Sequence, residues 1–192
     1  MKQTFKEYFD EAIAMKTDLD KEIHSKSATS PLNDIPLPTQ EELESDDYIK
    51  GKIVIQGLKI NIENPYGSIR SGTNKDGKYW EVELADSYGE IHGYDAADGD
   101  FLDLFLRKHL KQSEANSLNV IYVVDQIEPS THEFDEHKVV FGYSNIDEAK
   151  RAYLANYQTG WLGLGAITPL TMPMFKYWIK NEDLTQPLVW SK

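Results

Sequence analysis

The chain contains the stretch Asp98-Gly99-Asp100-Phe101-Leu102-Asp103-Leu104, which places three carboxylates within six residues. Gly99 lets the backbone turn between the first two acids, so their side chains can converge. The apolar residues from Phe101 to Leu106 predict a short buried segment that anchors one side of this acidic turn in a core. Carboxylates this close repel one another unless protons or cations neutralise them, and Mg²⁺ prefers such oxygen ligands. The stretch therefore indicates a loop that binds divalent cations, or alternatively a solvated acidic turn.

A second acidic group lies further along the chain. Asp125 ends one predicted strand, and Asp135, Glu136 and Lys138 begin its partner. A hairpin brings these strand ends together, and we expect their acids to face the 98–103 loop. Carboxylates hold metal ions, while lysine and arginine hold the phosphate oxygens that those ions bridge. The candidate phosphate ligands are Arg70, Lys78 and Lys138, with hydroxyl donors from Tyr88 and Tyr157.

The composition restricts the kinds of partner that the chain can have. Its 192 residues fit one domain of ordinary size, and 40% of them are hydrophobic, which is enough for a core. A net charge of −12 argues against direct binding to nucleic acid or to an anionic membrane. The absence of cysteine excludes disulfides and thiolate chemistry, and no stretch is long enough to span a bilayer. We therefore expect a soluble cytoplasmic protein.

The N-terminal part differs in composition from the rest. Residues 1–24 have apolar side chains near helical spacing and predict an amphipathic helix. Residues 25–47 are rich in proline, serine and acids and predict a linker, which leaves 48–192 as the main domain. We expect the helix to pack on its own domain or on a second copy in a homo-oligomer. An alternative is a helix that binds another protein.

The main domain has the pattern of an α+β fold. A hairpin is predicted at 52–62, and a central strand at 119–124 pairs with a strand at 138–141. Two late helices are predicted, Ile146–Tyr157 capped by Ser144 or Asn145, and Met172–Lys180 capped by Thr171. The glycines of 160–165 predict a tight connection between them. Several short strands followed by helices favour a small barrel or a strongly bent antiparallel sheet with flanking helices.

These residues resemble the soluble (family I) inorganic pyrophosphatases. Tyr88-Gly89-Glu90-Ile91 and then 98–104 are similar to the family's Tyr-Gly-x-Ile segment and its Asp-Gly-Asp-Pro-x-Asp-Val signature. Asp125 and the 135–140 segment resemble the later Asp, Asp and Lys on paired strands. The helix ending at Tyr157 and the glutamate Glu63 resemble two further family positions. The resemblance covers roughly 53–160, and Gly163–Leu170 is similar to a motif of phage and mobile-element variants of this domain.

The resemblance implies an OB-like β-barrel that hydrolyses inorganic pyrophosphate, or a related phosphoanhydride, with several Mg²⁺ or Mn²⁺ ions. The implied metal ligands are Asp98, Asp100, Asp103, Asp125, Glu136 and Glu63. The implied catalytic residues are Asp100, nearest the attacking water, with Tyr88 and Lys138. The implied substrate ligands are Arg70, Lys78, Lys138, Tyr88 and Tyr157. For a phage-encoded protein the implied location is the host cytoplasm.

The sequence also departs from the family pattern. Phe101 replaces the signature proline, Gln158 follows Tyr157 where a lysine is usual, and Gly72 replaces a glutamate. Spacing leaves open whether Asp135 or Glu136 supplies the later aspartate. Two other functions are compatible with the sequence: hydrolysis of a nucleotide-derived signal, and a non-catalytic acidic phage protein that binds a host factor, for example as a nucleic-acid mimic.

Overall fold

The computed structural model describes residues 18–74 and 77–188. The strands are β1 (Gly51–Ile55), β2 (Leu58–Asn64), β3 (Ile69–Thr73), β4 (Tyr79–Glu83), β5 (Ser87–Asp95), β6 (Phe101–Leu106), β7 (Val120–Ile127), β8 (Phe134–Phe141) and β9 (Leu164–Thr171). The helices are α1 (Leu19–Lys26), α2 (Gln40–Glu44), α3 (Gln112–Ser117), α4 (Ile146–Ala155) and α5 (Met172–Asn181). Within these two ranges, no helix combines the length and the apolar character that a membrane crossing needs.

Seven of the strands form one sheet in the order β1-β2-β5-β6-β8-β7-β9. All neighbours are antiparallel except β6 and β8, which run parallel. The α+β class is therefore confirmed. The predicted barrel is not closed, because β1 and β9 are the two ends of the sheet. The β1 end of the sheet is contacted by α3 and α5 rather than by β9. Gln56, in the β1–β2 turn, donates to the carbonyls of Ala115 in α3 and of Leu118 just after it, and the Lys176 ammonium of α5 donates to the Gln56 carbonyl.

Most of the predicted elements are present in the structure. The β1–β2 hairpin and the β7–β8 pair form as expected. Asn145 caps α4 by accepting the Glu148 N–H, and Thr171 caps α5 by accepting the Met174 N–H. The prediction of a tight connection was wrong for its last residues, because β9 begins at Leu164 and pairs with β7. Pro169 is accommodated because β9 is an edge strand of the sheet.

The two faces of the sheet carry separate hydrophobic clusters, because successive strand residues point to opposite faces. One cluster joins the sheet to α1 and α5 and includes Leu102, Leu104 and Val139. The other joins it to α4 and includes Tyr88 and Phe105. Asp103 and Phe105 are two residues apart on β6 and share the second face, so Asp103 lies on the α4 face of the sheet.

The N-terminal segment packs closely on the sheet. The first 17 residues of the helix predicted at 1–24 lie outside the described residues, and α1 includes its end. Leu19 and Ile23 of α1 are fully buried in the first cluster. Ser27 and Ala28 of the predicted linker are also buried, and the Ala28 N–H donates to the Ile49 carbonyl at 2.9 Å. The start of the predicted linker is thus an ordered, buried segment, whereas α2 further along it is exposed.

Candidate active site

A buried lysine lies at the centre of the α4 face. The parallel pairing of β6 with β8 sets Asp103 beside Lys138. The Lys138 ammonium contacts the Asp103 carboxylate and lies 2.9 Å from Oε1 of Glu136. Burial lowers the pKa of Lys138, but its negative partners, led by Asp103, outweigh burial and raise the pKa well above its ordinary value. Lys138 therefore carries a full positive charge between two carboxylates.

A second cation reaches the same place from the separate β3–β4 hairpin. Arg70 Nη2 donates to the Tyr88 hydroxyl at 3.1 Å, and its guanidinium lies 4.1 Å from the centre of the Tyr88 ring. The Lys138 ammonium lies 5.6 Å from the centre of that same ring. Trp80, opposite Gly72 on the hairpin, lies 5.5 Å from the guanidinium. Tyr88 thus holds two cations close together on the α4 face of the sheet.

The acids around these cations are crowded. Burial raises the pKa of Glu136 to about 7, with Lys138 opposing the rise and the charges of Asp103 and Asp98 adding to it. Asp135, the other candidate for this position, accepts a hydrogen bond from Gln126 and does not share Lys138. The structure therefore brings Glu136 rather than Asp135 to the cation pair.

Glu63 lies in a neighbouring corner of the pocket with two residues that the sequence analysis did not identify, Lys50 and Glu90. The Lys50 ammonium lies 3.2 Å from Glu63 Oε1 and 3.8 Å from Glu90 Oε1. Burial raises the pKa of Glu63 to about 7, which Lys50 opposes and Asp103 reinforces. No local sequence pattern indicates Glu90, because its proximity to Lys50 and Glu63 depends on the pairing of β5 with β2.

Asp125 was wrongly predicted to join the acidic pocket. Its Oδ1 lies 3.0 Å from His137 Nδ1 and accepts the Leu188 N–H at 3.1 Å. His137 packs edge-on against Trp178 of α5, on the other face of the sheet from Lys138. The physical reason is strand alternation, which turns Asp125 away and presents the next residue, Gln126, to the α4 face.

Gln126 therefore occupies the position expected for a carboxylate. It is buried, and its Nε2 donates to Asp135 at 3.1 Å and to Glu136 at 3.0 Å. Its Oε1 accepts the hydroxyls of Tyr153 and Tyr157 at 2.7 and 2.8 Å. One amide thus connects the acids of β8 to Tyr157, the predicted substrate ligand at the end of α4.

Three other predicted site residues are exposed. Asp98 and Asp100 form a turn in which the Asp100 N–H donates to Asp98 Oδ1 at 3.1 Å. Lys78 lies next to the end of the β3–β4 hairpin, where its N–H donates to Asn74. Asp98 still acts electrostatically on Glu136, but no contact in the described parts of the chain joins Asp100 or Lys78 to Lys138. Across 18–74 and 77–188, no three Asp, Glu or His side chains form a ready metal-binding group.

The geometry brings two cations and a tyrosine hydroxyl together beside paired carboxylates, and such cations and hydroxyls can bind phosphate oxygens. A family model described as Inorganic Pyrophosphatase matches residues 40–180, which is most of the chain. The chain therefore belongs to the inorganic pyrophosphatase family. No curated protein and no solved structure matches the chain.

Proposed function

We propose that this protein hydrolyses inorganic pyrophosphate or a closely related phosphoanhydride in a Mg²⁺-dependent reaction. The observation that carries the proposal is the meeting of Arg70 and Lys138 at Tyr88, beside Asp103 and Glu136. Membership of the pyrophosphatase family supports the same reaction. The Gly163–Leu170 motif supports a phage or mobile-element form of the family.

The cations provide the phosphate-binding part of the site. Hydrolysis of a phosphoanhydride places additional negative charge on the leaving phosphate, and preorganised donors stabilise that charge. Arg70 can donate two parallel hydrogen bonds to phosphate oxygens, while Lys138 acts as a point charge. Tyr88 orients the guanidinium, and Tyr157 adds a hydroxyl at the end of α4. Since Lys138 is fixed by two carboxylates, it needs little reorganisation when the substrate binds.

The carboxylate oxygens of the site are the type of ligand that Mg²⁺ prefers. Burial raises the pKa of Glu136, the charges of Asp103 and Asp98 add to the rise, and a bound cation would lower it again. Lys138 contacts Oδ2 of Asp103 and Oε1 of Glu136, so the other oxygen of each carboxylate would hold the ion, with Asp98 from the acidic turn. Mg²⁺ usually takes one or two carboxylates and completes its shell with water and substrate phosphate. When bound, it neutralises phosphate charge and lowers the pKa of a water; Mn²⁺ accepts the same ligands.

The test is phosphate release from pyrophosphate and from a panel of nucleotides, each with Mg²⁺ and with a chelator. We expect release from pyrophosphate with Mg²⁺, and we expect Asp103→Asn to lower it by at least about 100-fold, since Asp103 fixes Lys138 and would hold the ion. Asp34→Asn, at an exposed acid of the N-terminal segment, is the control and should keep full activity. No release from any substrate by the folded protein would refute the proposal.

The two other functions make different predictions. A nucleic-acid mimic needs rows of acids on its surface, whereas Glu63, Glu90 and Glu136 are gathered in one pocket around lysines. This placement favours the enzyme over the mimic. Hydrolysis of a nucleotide-derived signal uses the same phosphate chemistry, and release from a nucleotide but not from pyrophosphate in the panel would select it.

A further inference from the structure

Lys50 and Glu90, which form a corner of the site with Glu63, have no role in the family resemblance described above. Glu63 is the second-last residue of β2, where the register with β5 shifts, and Glu90 lies on β5 opposite Asn61. Both are largely buried, with 19% and 10% of their side chains exposed. The Lys50 side chain is only 8% exposed, and its ammonium lies within 4 Å of both acids. A lysine thus occupies the place where two buried acids would otherwise attract a cation.

We propose that Lys50 is a built-in counter-cation for Glu63 and Glu90, which closes this corner so that the two acids bind no metal ion in the native protein. An ammonium group and a hard divalent cation compete for the same carboxylate oxygens. Two carboxylates this close need a neutralising charge, and Lys50 supplies one that does not dissociate. The family resemblance implies that Glu63 is a metal ligand. In this protein the negative charge of Glu63 is then neutralised by the Lys50 ammonium and not by a metal ion.

Further contacts fix the lysine in this position. Asp46, which precedes β1, accepts from the Lys50 ammonium at 2.6 Å, and the Tyr48 ring lies 5.4 Å from it. Asn61 Nδ2 donates to Glu90 Oε1 at 2.8 Å and holds that carboxylate in place. The corner adjoins the active site. Burial lowers the pKa of Arg70, and the groups that raise it overall are Tyr88, Asp103, Tyr157 and, from this corner, Glu63. Lys50 is therefore a positioning residue for the acidic side of the pocket.

The test measures the melting temperature during a Mg²⁺ titration without substrate, so it gives an answer whether or not the protein turns over pyrophosphate. Lys50→Met should lower the melting temperature in the absence of metal, because two buried carboxylates lose their partner. It should also increase the Mg²⁺-induced rise beyond that of the wild type, because a ligand that binds only the native state stabilises it. Lys52→Met, at an exposed lysine of β1, is the matched control and should behave as the wild type does.

A Lys50→Met variant that folds and gains no additional Mg²⁺ response would overturn the proposal. Glu63→Gln provides an independent test that does not require the lysine variant to fold. The proposal requires Glu63→Gln to keep the wild-type Mg²⁺ response, whereas Asp103→Asn should reduce it. A reduced response in Glu63→Gln would show that Glu63 binds metal in the native protein and would reject the built-in counter-cation.

Discussion

At the scale of single residues, one step along β7 decides which side chain enters the site. Asp125 pairs with His137 on one face, and Gln126 joins two tyrosines to two acids on the other. Glutamine is suited to this position because its amide accepts and donates at the same time, which neither a carboxylate nor an apolar side chain can do. The uncharged side chain of Gln126 thus lies in the site where the sequence predicts the negative charge of Asp125.

Replacing Gln126 tests this connection. Gln126→Leu should lower the free energy of unfolding by about 2–6 kcal/mol, because an unsatisfied buried hydroxyl costs about 1–3 kcal/mol and two tyrosines lose their acceptor. Urea denaturation followed by tyrosine and tryptophan fluorescence measures the change. Gln158→Leu, at an exposed glutamine with one long hydrogen bond to Glu81, should change stability by less than about 0.5 kcal/mol. Equal stability in the two variants would contradict the proposed connection.

At the scale of elements, the α1 helix belongs to the main core although it precedes a proline-rich segment. Its apolar face inserts Leu19 and Ile23 into the cluster that also contains residues of α5. The signal in the sequence is helical periodicity, which predicts an apolar face but not what that face packs against. For this reason the helix could be predicted, while its partner could not.

Shortening an α1 side chain should destabilise the whole domain. Ile23→Ala should lower the free energy of unfolding by about 2–5 kcal/mol, the usual cost of emptying a fully buried aliphatic site. The measurement is chemical denaturation in the full-length chain. Leu32→Ala, at a leucine that is 66% exposed, should cost less than about 0.5 kcal/mol. A small effect of Ile23→Ala would mean that α1 is only loosely attached.

The sequence predicts elements better than it predicts the pairing of distant ones. The β1–β2 and β7–β8 hairpins follow from local turn residues and alternation, and the helix caps follow from Asn145 and Thr171. The parallel contact between β6 and β8 joins segments that no turn connects, so no local pattern indicates it. In the site, Tyr88, Asp103 and Lys138 were predicted from motifs, whereas Lys50 and Gln126 depend on register and on which face a strand presents. Those two properties arise from tertiary packing.

At the scale of the whole molecule, buried acids couple stability to pH. Burial raises the pKa values of Glu63 and Glu136 from an ordinary 4.5 to about 7, so both retain protons that the unfolded chain has already lost. The stability that this retention contributes is complete below pH 4.5 and is lost as the pH rises through 7. The net charge of −12 acts in the same direction, because repulsion within the folded protein grows as acids ionise.

The melting temperature should therefore fall between pH 5 and pH 7.5 in metal-free buffer. Glu136→Gln should make that fall smaller, because glutamine cannot ionise. Glu133→Gln removes one charge at an exposed acid near the same hairpin and should leave the slope as in the wild type. Scanning calorimetry at a series of pH values gives the comparison, and identical slopes for all three proteins would show that Glu136 does not titrate near pH 7.

The β3–β4 hairpin gives the molecule two levels of protection against hydrogen exchange. A two-stranded sheet is only marginally stable by itself, and this one is separate from the seven-stranded sheet. Its backbone amides should therefore exchange through local opening, while those of β6, β7 and β8 should exchange only through global unfolding. Since the hairpin carries Arg70, each opening withdraws one cation from the pocket and leaves Lys138 in place. Under the proposed function, product phosphate would then leave at the rate of this local fluctuation, without any loosening of the core.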